Sequence, residues 1–290
     1  MHVPVLSAEV INYLSPQSNC NIIDCTIGGG GHSFKILHHL DPRGQILGID
    51  LSPVAIQRID DKRRELNLQK RIIVVNGNFA YLQKIVEQNS FSPVHGILLD
   101  LGLSSDLLES SGRGFSFMRD EPLDMRFNPQ ADDITAREII NQYSEKTLRE
   151  IFWRYGEERY SSKIARVIVQ KRKKKKINTT QELTQIIKNT LGFRFHIKSL
   201  ARIFQALRIS VNKELENLQQ ALIASQDILS PGGKIVVISY HSLEDRIVKF
   251  FFKRTESLQI LTKKPIVPSK EEVKKNSRSR SAKLRAAKKI

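Results

Sequence analysis

The sequence predicts a doubly wound α/β domain with a mostly parallel sheet, interrupted by an all-helical insertion. Three observations carry that expectation. Short β-rich runs alternate with helical patterns over the first hundred residues; helical periodicity alone then fills 105–215; and an apolar strand resumes after the turn "SPGG" at 230–233. A chain of 290 residues accommodates one large domain, or a core domain carrying a smaller one.

The elements read in order as follows. Strands are expected at "NIIDCT" (21–26), "QILGID" (45–50), "RIIVVNGNF" (71–79) and "VHGILLDL" (94–101), separated by the helical patterns "HSFKILHHL" and "PVAIQRIDDKRREL". In the helical stretch, "TARE" (135–138) and "TTQE" (179–182) have capping-box spacing, and Gly156 and Gly192 stand where helices end. Leu148, Ile151, Phe152 and Tyr155 share one face, as do Ile203, Phe204, Leu207, Val211, Leu215, Leu218 and Leu222 within a long segment from Leu200 to Leu229. A fifth strand follows in "KIVVISY" (234–240) and a last one near "LQILTKK". The divided core domain is therefore expected at 1–104 and 216–262, and the helical insertion at 105–215. Residues 263–290 have few large apolar side chains and no periodicity, so they read as a basic tail that orders on binding.

Charge narrows the partners. Of a formal net charge of +17, residues 263–290 carry +9 and the run "KRKKKK" at 171–176 carries +6, leaving the rest near neutral. Two positive strips on a neutral body favour a polyanion such as nucleic acid, because phosphate contacts gain from counterion release. A solvated helix end is the plainer account of 171–176. No run approaches the ~18 apolar residues of a spanning helix, and no signal peptide is evident, so no membrane is expected. Cys20 and Cys25 lie in or beside one strand, which fits a reducing cytoplasm, and no histidine or cysteine spacing suits a metal.

The stretch "IIDCTIGGGGHS" (22–33) places a glycine loop between the first strand and a helix, bringing bare backbone against a ligand at the carboxyl edge of the sheet. Asp50, 22 residues after Gly28, ends the second strand where an acid accepts ribose hydroxyls. NAD and S-adenosylmethionine both suit these features. Three details favour the sulfonium. Ser33 occupies the third glycine position of the dinucleotide pattern; Asp24 would repel a pyrophosphate and attract an ammonium; and "GNF" (77–79) puts an aromatic after the third strand. Asp100 closes the fourth strand, facing both cofactor and acceptor, unless it merely caps the loop. "GRGFSFMRDEPLDMRF" joins Arg113, Arg119 and Arg126 with Phe115, Phe117 and Phe127, either a cradle for a splayed RNA base or a structural lid.

Several long stretches then carry a resemblance: "HVPVLSAEV" (2–10), "DCTIGGGGHS", "GID" (48–50), "DLGLSS" (100–105), "RGFSFMRDEPLDMRF" (113–127), "YGEERYSSKIAR" (155–166), "FQALRISVNKELE" (204–216), "PGGKIVVISYHSLEDRIVK" (231–249) and "NSRSRSAKLR" (276–285). Spanning the chain end to end, they resemble the bacterial ribosomal RNA small subunit methyltransferase H family, also called MraW. The resemblance implies a seven-stranded, Rossmann-like methyltransferase sheet and S-adenosylmethionine as cofactor. It implies methylation of the 4-amino group of a cytidine in the decoding region of small-subunit ribosomal RNA, with that RNA or the small subunit as partner. Family cofactor contacts fall on Gly30, Gly31, His32, Asp50, Phe79 and Asp100. A further contact, usually a glutamine, falls on Leu107; "FHIKSLARIFQALR" also loses a proline and a threonine of the usual pattern while keeping Arg202.

Amino-methyltransferases often carry an Asp/Asn-Pro-Pro-Tyr loop after the fourth strand; here the chain reads Asp100-Leu101-Gly102-Leu103. The catalytic candidates are Asp100, as acceptor for an amine hydrogen, with His241 and Ser242 of "SYHSLEDR" approaching from the fifth strand. Alternatively Ser242 caps a helix against Asp245. The rival readings are an RNA-binding assembly factor with a vestigial cofactor fold, and an NAD-dependent oxidoreductase. Whether two chains form a homodimer is left open.

Overall fold

A computed structural model of the protein describes residues 4–40, 42–103, 107–108, 111–131, 133–195 and 197–290. The chain divides into two compact units, one formed by 1–102 with 215–290 and the other by 103–214. The expected junction at 104/105 lies outside the described residues.

The first unit is built on a seven-stranded sheet: β1 (Asn21–Asp24), β2 (Gln45–Asp50), β3 (Ile72–Asn76), β4 (Val94–Asp100), β5 (Leu229–Ser239), β6 (Leu258–Ile260) and β7 (Lys283–Lys289), in the order β3-β2-β1-β4-β5-β7-β6. Strands β1 to β5 pair in parallel, and β7 runs antiparallel to β5 and β6. This is the mostly parallel, doubly wound sheet that the sequence predicts.

The strands are near-continuous apolar runs because both faces are covered. Ile23, Leu47, Ile97, Leu99, Ile235 and Val237 serve one core, shared with α4 (Leu82–Gln88), α10 (Glu214–Ile228) and α11 (Ser242–Arg254). Their neighbours Ile22, Ile46, Leu98, Val236 and Ile238 serve the other, against α1 (Ser7–Leu14), α2 (Gly31–Leu37) and α3 (Pro53–Glu65). Side-chain alternation along each strand thus fills two cores at once. The "SPGG" turn lies within β5: Val94 pairs with Leu229 and Gly96 with Lys234, so the four residues between bulge from the strand.

The expected tail is the clearest departure. Lys283–Lys289 is an interior strand between β5 and β6, with Leu284 and Ala286 buried on one face and Ala287 on the other. Composition misled because this strand buries small alanines rather than large aliphatics, and because Arg285, 7% exposed, is neutralised by Asp245 of α11 at 2.6 Å. Ahead of it, α12 (Lys270–Lys275) is capped by Ser269, and Glu272 Oε1 accepts the Leu6 N–H at 2.8 Å.

In the second unit, α5 (Ala136–Gln142) and α8 (Thr180–Leu191) begin with the expected capping boxes, Thr135 with Glu138 and Thr179 with Glu182. Between them lie α6 (Glu145–Arg154) and α7 (Ser161–Arg172), and α9 (Ile197–Asn212) follows. Leu148, Phe152, Ile164, Ile168, Leu183, Ile203 and Leu207 pack into one core. The long segment expected from Leu200 to Leu229 is broken at Lys213, which has φ +50°, and its apolar residues therefore belong to two different cores.

The arginine and phenylalanine stretch at 113–127 is largely spent on packing. Phe115 stacks on Phe127 at 5.7 Å, and Phe117 meets Phe204 edge-on at 5.5 Å. Arg113 donates to the carbonyls of Arg126 and Phe127, and Arg126 pairs with Asp124. Arg202 approaches the fully buried Glu158 at 3.6 Å. Among the described residues no helix is long and apolar enough to cross a membrane.

Candidate active site

Parallel strands deliver their carboxyl ends to one edge, where ligands bind in open α/β sheets. In the first unit that edge holds Asp24, the glycine loop, Asp50, Asp100 and the segment Tyr240–Ser242. The loop is braced by the sheet itself: Cys25 N–H donates to Leu98 O, Ile27 N–H to Ile49 O, and Asp100 N–H to Thr26 Oγ1 at 2.8 Å.

Gly28 and Gly30 adopt φ of +48° and +75°, the left-handed region that favours glycine. A Cβ on Gly30 would lie 2.5 Å from Phe34 Cε2. Beyond Gly29 the space is open, with no heavy atom within 4 Å of a would-be Cβ. Gly31 then opens α2, with His32 beside it.

Asp50 Oδ2 accepts from Gly28 N–H at 2.9 Å and Oδ1 from Ser52 N–H at 2.8 Å, so one carboxylate fixes both the loop and the turn after β2. Each oxygen keeps a lone pair for a further donor. Asp24 sits deeper than expected. It is 2% exposed, and its carboxylate accepts from Ser33 Oγ at 2.6 Å and Thr26 N–H at 3.1 Å. Burial raises the pKa of both aspartates, and their hydrogen bonds only partly offset that cost. Phe79 lies in the turn after β3, which Asn78 caps, and packs partly against the sheet core.

Asp100, half-buried, gathers three neighbours. Gly102 N–H donates to Oδ1 at 3.3 Å, His32 Nε2 lies 3.4 Å from Oδ2, and the Tyr240 hydroxyl faces the carboxylate. His32 Nε2 is buried without an aligned hydrogen-bond partner. Burial, and then the Asp100 charge, push the Tyr240 hydroxyl far up, so it stays a donor.

His241, not Ser242, caps α11. Its Nδ1 accepts from Glu244 N–H at 3.4 Å while Glu244 Oε2 takes the N–H groups of Tyr240 and His241 at 2.8 and 3.3 Å, a reciprocal capping box. Accepting at Nδ1 places the proton of the neutral ring on Nε2, which lies 3.0 Å from Glu244 Oε1. Ser242 is the exposed first residue of α11. Leu107 belongs to the other unit, where it packs against the helical core.

The sequence reading missed Thr26, Ser33, Glu244 and Tyr240. Glu244 had a signal, its place three residues after His241, obscured because histidine is an uncommon cap. Tyr240 had none, since its contact with Asp100 crosses between two strand ends.

Over residues 1–290 the chain matches the MraW methylase family. It belongs to that family. Members are S-adenosylmethionine-dependent methyltransferases. The chain is 44% identical over 308 residues to a protein of Dehalococcoides mccartyi named ribosomal RNA small subunit methyltransferase H, covering 100% of this chain and 86% of that one. It is 43% identical over 309 residues to the protein of that name from Carboxydothermus hydrogenoformans, covering 100% and 98%. Among solved structures it is similar to an rRNA methylase of Streptococcus thermophilus, with a TM-score of 0.45 and 9% identity over 98% of this chain and 93% of that one.

The edge fits the family's cofactor. The free lone pairs of Asp50 suit ribose hydroxyls, the open space at Gly29 admits a ligand against bare backbone, and the buried His32 Nε2 is a polar atom without a hydrogen-bond partner.

Proposed function

We infer that this protein methylates the 4-amino group of a cytidine in the decoding region of small-subunit ribosomal RNA. The observation that carries this reading is identity above 40%, over the whole of this chain, to proteins named ribosomal RNA small subunit methyltransferase H.

S-adenosylmethionine supplies an electrophilic methyl group on a positively charged sulfur. The chain's task is then placement: Gly30, Gly31, His32, Asp50 and Phe79 hold the adenosine and amino-acid parts, so that amine nitrogen, methyl carbon and sulfur align. Cytosine's exocyclic nitrogen shares its lone pair with the ring. Asp100, at the end of β4, accepts a hydrogen bond from that amine and helps localise the pair as the N–C bond forms and the S–C bond breaks. The amine gives up one proton, which passes by way of the Asp100 carboxylate to solvent as the departing sulfur becomes uncharged. The Gly102 N–H holds the Asp100 carboxylate from one side, and the Tyr240 hydroxyl faces it from the end of β5. His241 and Ser242 lie at the start of α11, where His241 caps the helix and its Nε2 faces Glu244 Oε1.

The test is transfer of a labelled methyl group to small-subunit ribosomal RNA, followed by nucleoside mass analysis. One N4-methylated cytidine in the decoding region is expected. No labelled RNA, or a label on another atom, overturns the reading.

A further inference from the structure

A base that must leave its stack to be methylated needs aromatic surface to rest on, and RNA supplies phosphates nearby. The rings at 115, 117 and 127 do not offer it, since they pack against one another and against Phe204. Two rings in the helical unit are presented to solvent instead, Trp153 on α6 at 61% and, more fully, Phe193. Phe193 is 92% exposed, at the tip of the turn joining α8 to α9.

That tip is a built feature. Gly192 takes φ +53° to end α8, its N–H donating to Lys188 O, and Phe195 N–H closes the turn on Gly192 O at 2.9 Å. Phe195 turns inward to the helical core and anchors the turn, leaving Phe193 outside. Cations attend both rings: the Arg194 guanidinium lies 5.0 Å from the Phe193 centroid and Lys188 Nζ lies 5.9 Å from that of Phe195. Ile197, 55% exposed, and Lys198 follow on α9.

Charge selects the partner. From 183 to 213 the sequence has six cations, Lys188, Arg194, Lys198, Arg202, Arg208 and Lys213, and no acidic residue. Arg202 and Arg208 face Glu158 and Glu214, whereas Lys188, Arg194 and Lys198 make no ion pair among the described residues. A protein-binding patch of exposed phenylalanine and isoleucine would not need so one-sided a field; a polyanion with flat apolar faces does. The run at 171–176 ends α7 and leads toward α8, where Lys175 pairs with Glu182 of the first turn at 2.6 Å.

We propose that the tip Gly192–Phe195 is a stacking platform for an unpaired RNA base, with Phe193 as the ring and Lys188, Arg194 and Lys198 as its phosphate contacts. This rests on the reading of the protein as an RNA methyltransferase and adds where the RNA is gripped.

The experiment measures binding of the full chain to a protein-free small-subunit RNA fragment across a salt series. Phe193→Ala is expected to weaken binding about tenfold with the salt slope unchanged. Arg194→Ala should weaken it and lower the log–log slope by about one. Because Trp153 is the sole tryptophan, Phe193→Trp in a Trp153→Phe background gives a single reporter, whose emission should be quenched as a base stacks. S-adenosylhomocysteine binding serves as the control for folding and should not move. RNA affinity of Phe193→Ala within about twofold of the parent, or an unquenched reporter, overturns the platform. So does a loss seen with assembled subunits but not with bare RNA, which would mark a protein contact, or a change in oligomeric mass, which would mark a second copy of this chain. If the parent protein methylates RNA while Phe193→Ala is silent, the platform alone fails; if the parent binds no RNA, the enzymatic reading fails with it.

Discussion

The Tyr240 hydroxyl faces the Asp100 carboxylate, whose charge adds to burial in pushing that hydroxyl's pKa up, across the ends of β5 and β4. Gly102 makes this possible: a Cβ there would sit 2.8 Å from Cε2 and Cζ of the tyrosine ring. In Tyr240→Phe the carboxylate stays but loses the hydroxyl that faces it, so methyl transfer is expected to slow about tenfold while S-adenosylhomocysteine affinity holds. Calorimetry beside single-turnover rates checks the split; an unchanged rate removes Tyr240 from the mechanism.

Asp100→Asn keeps the shape and alters the chemistry. The amide presents one acceptor oxygen and no charge, so transfer should fall by about 10²–10⁴ with a smaller loss in cofactor affinity. Intact rate and intact binding together would eliminate both roles assigned to this residue.

Gly30→Ala tests the loop. At φ +75° an alanine is strained by roughly 1–3 kcal/mol, and its methyl would overlap Phe34 and Ile59. Melting should drop by several degrees and cofactor binding should weaken. Gly29→Ala, in open space, should leave melting unaltered and weaken cofactor binding alone; equal melting of the two variants would contradict the geometry.

His241 has a structural duty that can be separated from any catalytic one. Losing the cap in His241→Ala should cost about 1 kcal/mol of stability, whereas His241→Asn restores an acceptor for Glu244 N–H. A rate that recovers in the asparagine variant along with stability marks a positioning residue. A rate that stays low despite regained stability marks a donor acting at Nε2. Turnover unchanged in the alanine variant excludes it from the site.

Burial raises the pKa of Asp24 and of Asp50, so in the empty protein both take up protons above the usual carboxylate range. A cationic ligand favours their charged forms. Binding of S-adenosylmethionine should therefore release protons, and its affinity should rise with pH through the shifted values and fall as pH drops below them. S-adenosylhomocysteine, lacking charge at sulfur, should show a shallower dependence. Calorimetry in buffers of different ionisation enthalpy measures the proton count; tighter binding at lower pH contradicts the assignment.

Much of this fold can be read from residue order. Apolar strands ending in Asp24, Asp50 and Asp100 mark the working edge, because strand periodicity and terminal acids are local properties. Capping boxes at Thr135 and Thr179 are equally local. What escapes is non-local: Ser33 on Asp24, Tyr240 on Asp100 and Arg285 on Asp245 are contacts between separate elements. The last of these hid a whole strand, since a paired arginine among alanines has the composition of a solvated tail.

The insertion of β7 between β5 and β6 sets an order on synthesis. When Ile235–Ile238 leaves the ribosome its outer edge has no partner, and Lys283–Lys289 is some way behind. Until that segment arrives, β5 presents unsatisfied N–H and C=O groups along an apolar ribbon, a template for cross-chain pairing. β6 cannot join earlier, as β7 is its neighbour in the sheet. Nascent chains paused within this interval are the form of the protein most prone to aggregate, and the form that a chaperone has most reason to hold.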